Sequence, residues 1–294
     1  MNFYNIGLDD IQKIRPYLEK GNTRLMDLTV GGIFMWRDYM NIQCAIEDGT
    51  LFLTIRYPEM KTSLFLPVGE NRDAGMVKLL DYCKEIGQEP RFVYVTDEEL
   101  EWIKNGYAVK EIIEDTVSYD YFYSAESLRD FSGRKYHTQK NHINKFMNTY
   151  TDYVFEEINS SNIAEVTDFY IEYAQNYEKE SAFAMVEGEK VFEVLENPDK
   201  YGFFGILLRA GGRTVAFSLG EKINDTLFVS IEKADKSIPG AYQMTVREFA
   251  RRYTDDKVIY INRGDDAGDE GLRQSKQSYH PIAMLKKNIV VLDI

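Results

Sequence analysis

Cysteine is nearly missing from this chain. Of 294 residues only Cys44 and Cys83 carry a thiol. That leaves no basis for a disulfide framework and suggests two small core side chains in a reducing, cytoplasmic compartment. Histidine is almost as scarce, at 3 residues. His137 and His142 stand five apart, about 140° around a helix. They cannot easily share an ion, and without a helping carboxylate or thiol they form a thin ligand set, so no metal is expected. Long apolar runs are also missing. The longest, Gly202 to Leu208, falls well short of the roughly 20 residues of a membrane helix. Asp9 and Asp10 stand where a signal peptide would be apolar. Positive charge is the last shortage: 35 Lys and Arg against 48 Asp and Glu give a net charge of −13. Binding to nucleic acid or anionic lipid through bulk charge is thereby excluded, so either partner must be met by a local basic patch. No Walker loop, dinucleotide GxGxxG, CxxC or GxSxG is present, which removes the chemistries those motifs carry.

What is present is core material: 44% hydrophobic residues and 14% aromatics, enough for a packed globule of two domains at this length. Strands and helices alternate. In the first half, helices are expected over Leu8 to Lys20 and Ala74 to Ile86. Strands are expected over Ile42 to Ile46 and Leu51 to Tyr57, joined at the hairpin signal Asp48-Gly49, with shorter ones at Phe92 to Val95, Val109 to Ile113 and Ser118 to Tyr123. The second half reads more clearly. A strand, Tyr153 to Ile158, precedes helices over Asn162 to Tyr177 and Gly188 to Leu195. Three closely spaced strands follow, Phe203 to Arg209, Thr214 to Lys222 and Thr226 to Glu232, turning at Gly211-Gly212 and Asn224-Asp225. Then come a helix (Ala241 to Tyr253), a strand (Val258 to Asn262), a helix (Glu270 to Tyr279) and one or two closing strands between Ile282 and Leu292. The class is α/β (α+β), with mixed sheets flanked by helices. This order resembles the GNAT acyltransferase fold, and the first half has a looser version of it. Two tandem GNAT-like domains are therefore expected, residues 1–131 and 132–294.

Two segments carry candidate chemistry. Arg134 to Lys145 reads RKYHTQKNHINK, a basic run without an acid in an acidic chain. A helical wheel puts Tyr136, Ile143, Phe146, Met147 and Tyr150 on one face, Arg134, Thr138, Asn141 and Lys145 opposite, and Lys135 and Lys140 at the flanks. Such a helix could simply dock its apolar face. It could also hold phosphate oxygens, which suit convergent Lys and Arg donors. The second segment, Asn262 to Pro281, reads NRGDDAGDEGLRQSKQSYHP. It opens with a loop at the C-terminal end of a strand, where open α/β sheets bind ligands. In the helix that follows, Lys276 lies one turn from Tyr279, an arrangement able to stabilise developing negative charge. Alternatively, Lys276 runs along its helix and Tyr279 belongs to the core. The acids Asp265, Asp266, Asp269 and Glu270 lack the alternation of a calcium-binding loop.

The run GLRQSKQSYHP with NRGDDAGDEG before it resembles the closing signature of phosphatidylglycerol lysyltransferase C-terminal domains. KNHINKF within Arg134 to Phe146 is similar to another of their motifs. LTVGGIFMWRDYM, Leu28 to Met40, is similar to an early segment of members that keep both GNAT-like halves. The resemblance spans nearly the whole chain and extends to the Fem-type aminoacyltransferases. It implies transfer of an amino acid from aminoacyl-tRNA to an acceptor, without another cofactor, and a charge-stabilising Lys that matches Lys276. The multi-span membrane domain that precedes this region in the lysyltransferases has no counterpart here, which argues against lipid as acceptor. In acetyl-CoA-dependent GNAT enzymes a Gly-rich loop holds pyrophosphate at a helix N-terminus. Here Lys236 to Ala241 keeps only Gly240-Ala241 and a Lys, so an aminoacyl donor is favoured over acetyl-CoA.

The candidate catalytic residues are thus Lys276 and Tyr279. The candidate substrate- and phosphate-binding residues are Arg134, Lys135, Lys140, Asn141, Lys145, Gly240, Asn262, Arg263 and Arg273. Beside an aminoacyl- or acyltransferase stand two alternatives, a non-catalytic module that binds a phosphate-bearing ligand and an acetyl-CoA-dependent N-acetyltransferase. Fold alone does not choose among them.

Overall fold

A computed structural model describes residues 1–177 and 182–293. The chain divides into two compact units: Met1–Asp120 with Asp265–Asp269 and the stretch from Met284, and Tyr121–Gly264 with Glu270–Ala283. Each is built on its own mixed sheet.

In the first unit the strands run in the order Tyr4–Asn5, Gln43–Glu47, Thr50–Ile55, Ser63–Leu64, Arg91–Val95, Asn288–Leu292, Val109–Glu114, and Val68–Gly69 pairs separately with Thr50–Ile55. The Asp48-Gly49 hairpin is present, with φ of 48° and 71°, the left-handed pair that a two-residue turn of this hand needs. Helix Ile11–Lys20 buries Ile11, Ile14 and Leu18, as their spacing requires. Helix Arg72–Ile86 starts where the Asn71 side chain accepts from the Ala74 amide and ends at left-handed Gly87. Two helices escape the sequence reading. Asp97–Gly106 is started by a reciprocal Thr96–Glu99 capping box. Val30–Phe34 is capped by Thr29, and a Cβ on Gly32 there would meet the Met26 carbonyl oxygen at 2.1 Å. The turn therefore closes only around glycine.

A buried charge cluster ties this unit together. Lys287 is 1% exposed and donates to Asp120 Oδ1 at 2.8 Å. It also pairs with Asp27 and stands over the Tyr94 ring. The other Asp120 oxygen accepts from the Met26 amide. Burial pushes the Asp27 carboxyl up to about 7; Lys287 opposes this, while Asp120 and Asp265 add to it. Between the ordinary carboxylate range and about 7, native Asp27 keeps a proton that the unfolded chain releases, so stability falls as pH rises through this window. Urea unfolding should show a loss on the order of 1 kcal/mol per pH unit between about pH 5 and 7. Asp27→Asn should flatten that slope, and an unchanged slope in the Asn variant would disprove the assignment.

The second unit has the strand order Ala283–Leu285, Asp120–Ser124, Tyr260–Asn262, Thr226–Ala234, Arg213–Ile223, Phe204–Ala210, Val154–Glu157. The three long strands are antiparallel, as their turns predict. Helices Ala241–Tyr253 and His137–Thr149 supply Met244, Phe249, Ile143 and Phe146 to the core on one face. On the other, Phe169 and Tyr170 of helix Ile163–Tyr177 meet Phe217 edge-on. Thr226–Ala234 and Tyr260–Asn262 are parallel and paired only through Phe228↔Asn262. Past that point the longer strand keeps only Arg213–Ile223 as a neighbour, and the sheet forks. The helix expected over Gly188 to Leu195 is longer, Ala182–Glu196.

The division differs from a join near residue 131 in two respects. Strand Asp120–Ser124 enters the second sheet, and the closing strand Asn288–Leu292 returns to the first, antiparallel between Arg91–Val95 and Val109–Glu114. A short apolar strand does not encode which sheet it joins. Among the described residues no helix is long and apolar enough to cross a membrane.

Candidate active site

The fork in the second sheet gathers one group of the candidate residues. Asn262 ends the short parallel strand, is wholly buried, and turns the chain by accepting from the Gly264 amide at 2.7 Å. The next residue, Arg263, crosses the fork to Glu232 on the longer strand, Nη2 to Oε1 at 2.5 Å, with both side chains 9% exposed. Its guanidinium stands 4.7 Å from the Tyr279 ring centre and 5.8 Å from that of Tyr123. Burial works against this charge, but Glu232 and the two phenols more than offset it and hold the guanidinium protonated. Burial likewise pushes the Tyr123 and Tyr279 hydroxyls well above their ordinary range, against the pull of Arg263.

Lys276, from helix Glu270–Ser278, is buried. It donates to the Arg263 carbonyl at 2.5 Å and lies 5.8 Å from the Tyr121 ring centre. Tyr121 and Tyr123 alternate on one strand, so Lys276 and Arg263 share that face. Tyr279 is wholly buried with its ring toward Arg263, whereas the Lys276 ammonium is turned to the backbone. Arg273 is engaged within its own helix by Glu270 at 3.2 Å.

The basic helix is fastened beside this segment. The Tyr136 hydroxyl donates to the Tyr279 carbonyl at 3.1 Å, and the Gln139 amide donates to the Ser278 carbonyl. His280 Nε2 meets the Lys135 carbonyl at 2.9 Å. Arg134, Lys135, Lys140, Asn141 and Lys145 all face solvent. The wheel needs one correction: Met147 is 38% exposed while Gln139 is 4% exposed, because the contact with Ser278 brings that polar side chain inward.

Gly240 has a different part. Its φ is +92°, and a Cβ would meet the His142 carbonyl oxygen at 2.4 Å. Glycine here lets helix Ala241–Tyr253 begin against the basic helix. The loop before it is already satisfied by a carboxylate. Asp235 accepts from the Ser237 amide and hydroxyl, Tyr177 and Arg213. These bonds overcome its burial and hold it at about 2. Pro239 has no N–H to offer, and the Ala241 amide is turned to the Ile238 carbonyl. A pyrophosphate would have to displace these contacts.

Sequence reasoning missed Glu232, which it read as the end of an apolar strand, and the pair Tyr121 and Tyr123. An acid within a strand that is otherwise buried is the signal that could have marked Glu232.

Comparison with known proteins bears on this arrangement. A family model described as phosphatidylglycerol lysyltransferase, C-terminal, matches residues 22–291. A conserved protein of unknown function from Bacteroides thetaiotaomicron is 32% identical over the whole of both chains, with a TM-score of 0.90. The structure of L-PGS from Bacillus licheniformis is 13% identical, covers 95% of this chain and 90% of its own, and has a TM-score of 0.65. An uncharacterized protein of Mycoplasmoides gallisepticum is 25% identical over 198 residues, 67% of this chain. The match spans 63% of that curated relative's length.

Proposed function

The chain belongs to the phosphatidylglycerol lysyltransferase C-terminal family, and from that membership we propose that it moves an aminoacyl group from a tRNA-type donor to a nucleophilic acceptor in the cytoplasm. The observation that carries this reading is Lys276, a buried cation fixed by the Arg263 carbonyl at the sheet's fork. When the acceptor attacks the ester carbonyl, a bond forms to that carbon and negative charge gathers on its oxygen. The bond to the ribose oxygen then breaks, and that oxygen takes the proton given up by the acceptor. A positioned ammonium stabilises the charge that develops between these two events.

The basic helix supports a phosphate-bearing donor. Arg134, Lys135, Lys140 and Lys145 are exposed, and among the described residues none is ion-paired with an acid. That is unusual in a chain whose acids outnumber its bases by 48 to 35. The Asp235-filled loop speaks against acetyl-CoA. The test is binding of an aminoacylated RNA minihelix. Arg134→Glu with Lys140→Glu should weaken it at least about tenfold and lower the salt slope by about two. Surface changes of this kind move stability by about 0.5 kcal/mol or less. Equal affinity in the reversed variant would reject the phosphate role. A melting temperature raised by acetyl-CoA but not by the minihelix would favour the N-acetyltransferase reading.

A further inference from the structure

The Glu232–Arg263 pair is unfinished. Arg263 is nine-tenths buried, and one of its nitrogens, Nη2, is bonded to Glu232. The other, Nη1, is buried with no hydrogen-bond partner. Two hydroxyls beside the pair share this state, those of Ser218 and Ser230. Ser218 lies directly opposite Glu232 on the adjoining strand, so both project from the same face. Ser230 is two residues before Glu232, at the point where the register slips between Ile231 and Val229. Leaving one buried donor unmade costs about 1–3 kcal/mol, and three such groups around one acid need a reason. Exposure supplies a second sign. Past the fork Thr226–Ala234 is paired only with Arg213–Ile223, and there Val229, Ser230 and Glu232 keep part of their surface open.

A buried cation with a spare N–H beside a buried carboxylate complements a group with a carbonyl oxygen and an ammonium three bonds apart. An α-aminoacyl ester is such a group. Resting on the aminoacyl-transfer reading, we propose that Glu232 and Arg263 hold the α-amino acid part of the donor, Glu232 taking the α-ammonium and Arg263 Nη1 the ester carbonyl, with the Ser218 and Ser230 hydroxyls completing the contacts. This site recognises a free α-amino group and so excludes donors whose nitrogen is acylated. It also sets the ester near Lys276, whose ammonium is bonded to the carbonyl of Arg263 itself.

The experiment uses the full chain and a hydrolysis-resistant probe, 3′-aminoacylamino-adenosine, in free-amine and N-acetylated forms, with affinities from calorimetry. The wild type should bind the free amine at least about tenfold more tightly, the scale of one charge-assisted hydrogen bond. Glu232→Gln keeps the shape, should remove most of that discrimination, and should still bind the N-acetyl form. Ser218→Ala, a smaller change, should weaken both forms without altering their ratio. Equal binding of the two forms by the wild type, or discrimination that survives in Glu232→Gln, overturns the inference and leaves aminoacyl transfer standing. Failure of both forms to bind, with no transfer from aminoacyl-RNA, overturns both. If Glu232→Gln does not fold, the wild-type ratio and the Ser218→Ala variant still decide.

Discussion

Lys287→Met is expected to destabilise the first unit by about 3–5 kcal/mol, the largest effect on folding anticipated for any single substitution considered. The side chain is 1% exposed, and Asp120, its partner at 2.8 Å, is 0% exposed. Removing the ammonium leaves Asp120 with the Met26 amide and Asp27 facing it across a site with no compensating cation. The cost comes less from the lost pairing than from the Asp120 carboxylate left behind, because transfer of a charge from water is offset only by its partner. The triple variant Lys287→Met, Asp27→Asn, Asp120→Asn separates the two contributions. It should recover much of the loss, since an uncharged cluster carries no ionic desolvation penalty. Urea unfolding followed by fluorescence of Trp36 and Trp102 would measure both. A single-variant loss below about 1 kcal/mol would mean that the cluster is loosely solvated.

This cluster marks where sequence reading of the fold stops. Local signals were legible. Asp48-Gly49, the three long strands of the second unit and the buried spacing of Ile11, Ile14 and Leu18 lie where the pattern puts them. What local pattern does not hold is partnership between distant strands. Asn288–Leu292 is readable as a strand, but its place between Arg91–Val95 and Val109–Glu114 depends on residues nearly 200 positions away. Lys287, the second of two adjacent lysines at the start of an apolar segment, carries no periodicity that would reveal Asp27 and Asp120 as partners. The helix Asp97–Gly106 was also passed over, although Thr96 and Glu99 form a capping box.

The candidate site was legible in part for the same reason. Residues joined by short-range geometry came out together: Asn262 with its loop, Lys276 one turn from Tyr279, and the basic run as one exposed helical surface. Glu232 is 31 residues from Arg263, and only the fork between their strands brings them within 2.5 Å. Gly240, singled out as the remnant of a phosphate loop, proved to be a point of close helix approach. A glycine in sequence signals that a side chain is not tolerated, but not whether a ligand or a neighbouring carbonyl is the reason.

Lys276→Met should lower the rate of aminoacyl transfer by about 10²–10³ while leaving donor affinity nearly unchanged. The ammonium is fixed before any substrate arrives, bonded to the Arg263 carbonyl at 2.5 Å, and so needs little reorganisation when charge develops. Met preserves the length and most of the packing of the buried stem but not the charge. Its structural cost is the Arg263 carbonyl left without this donor, about 1–3 kcal/mol. Melting temperature must therefore be read beside activity. A loss of turnover that tracks a fall in melting temperature, with affinity lost as well, would be a folding effect. A loss of turnover in a folded variant with wild-type affinity for the RNA donor is the signature of an interaction made chiefly in the transition state. Lys276→Arg sharpens the reading, because it keeps the charge on a planar fork that does not fit the place of a compact ammonium. It should recover only part of the rate. Full activity in the Met variant would remove Lys276 from the mechanism and shift the weight of charge stabilisation to Arg263.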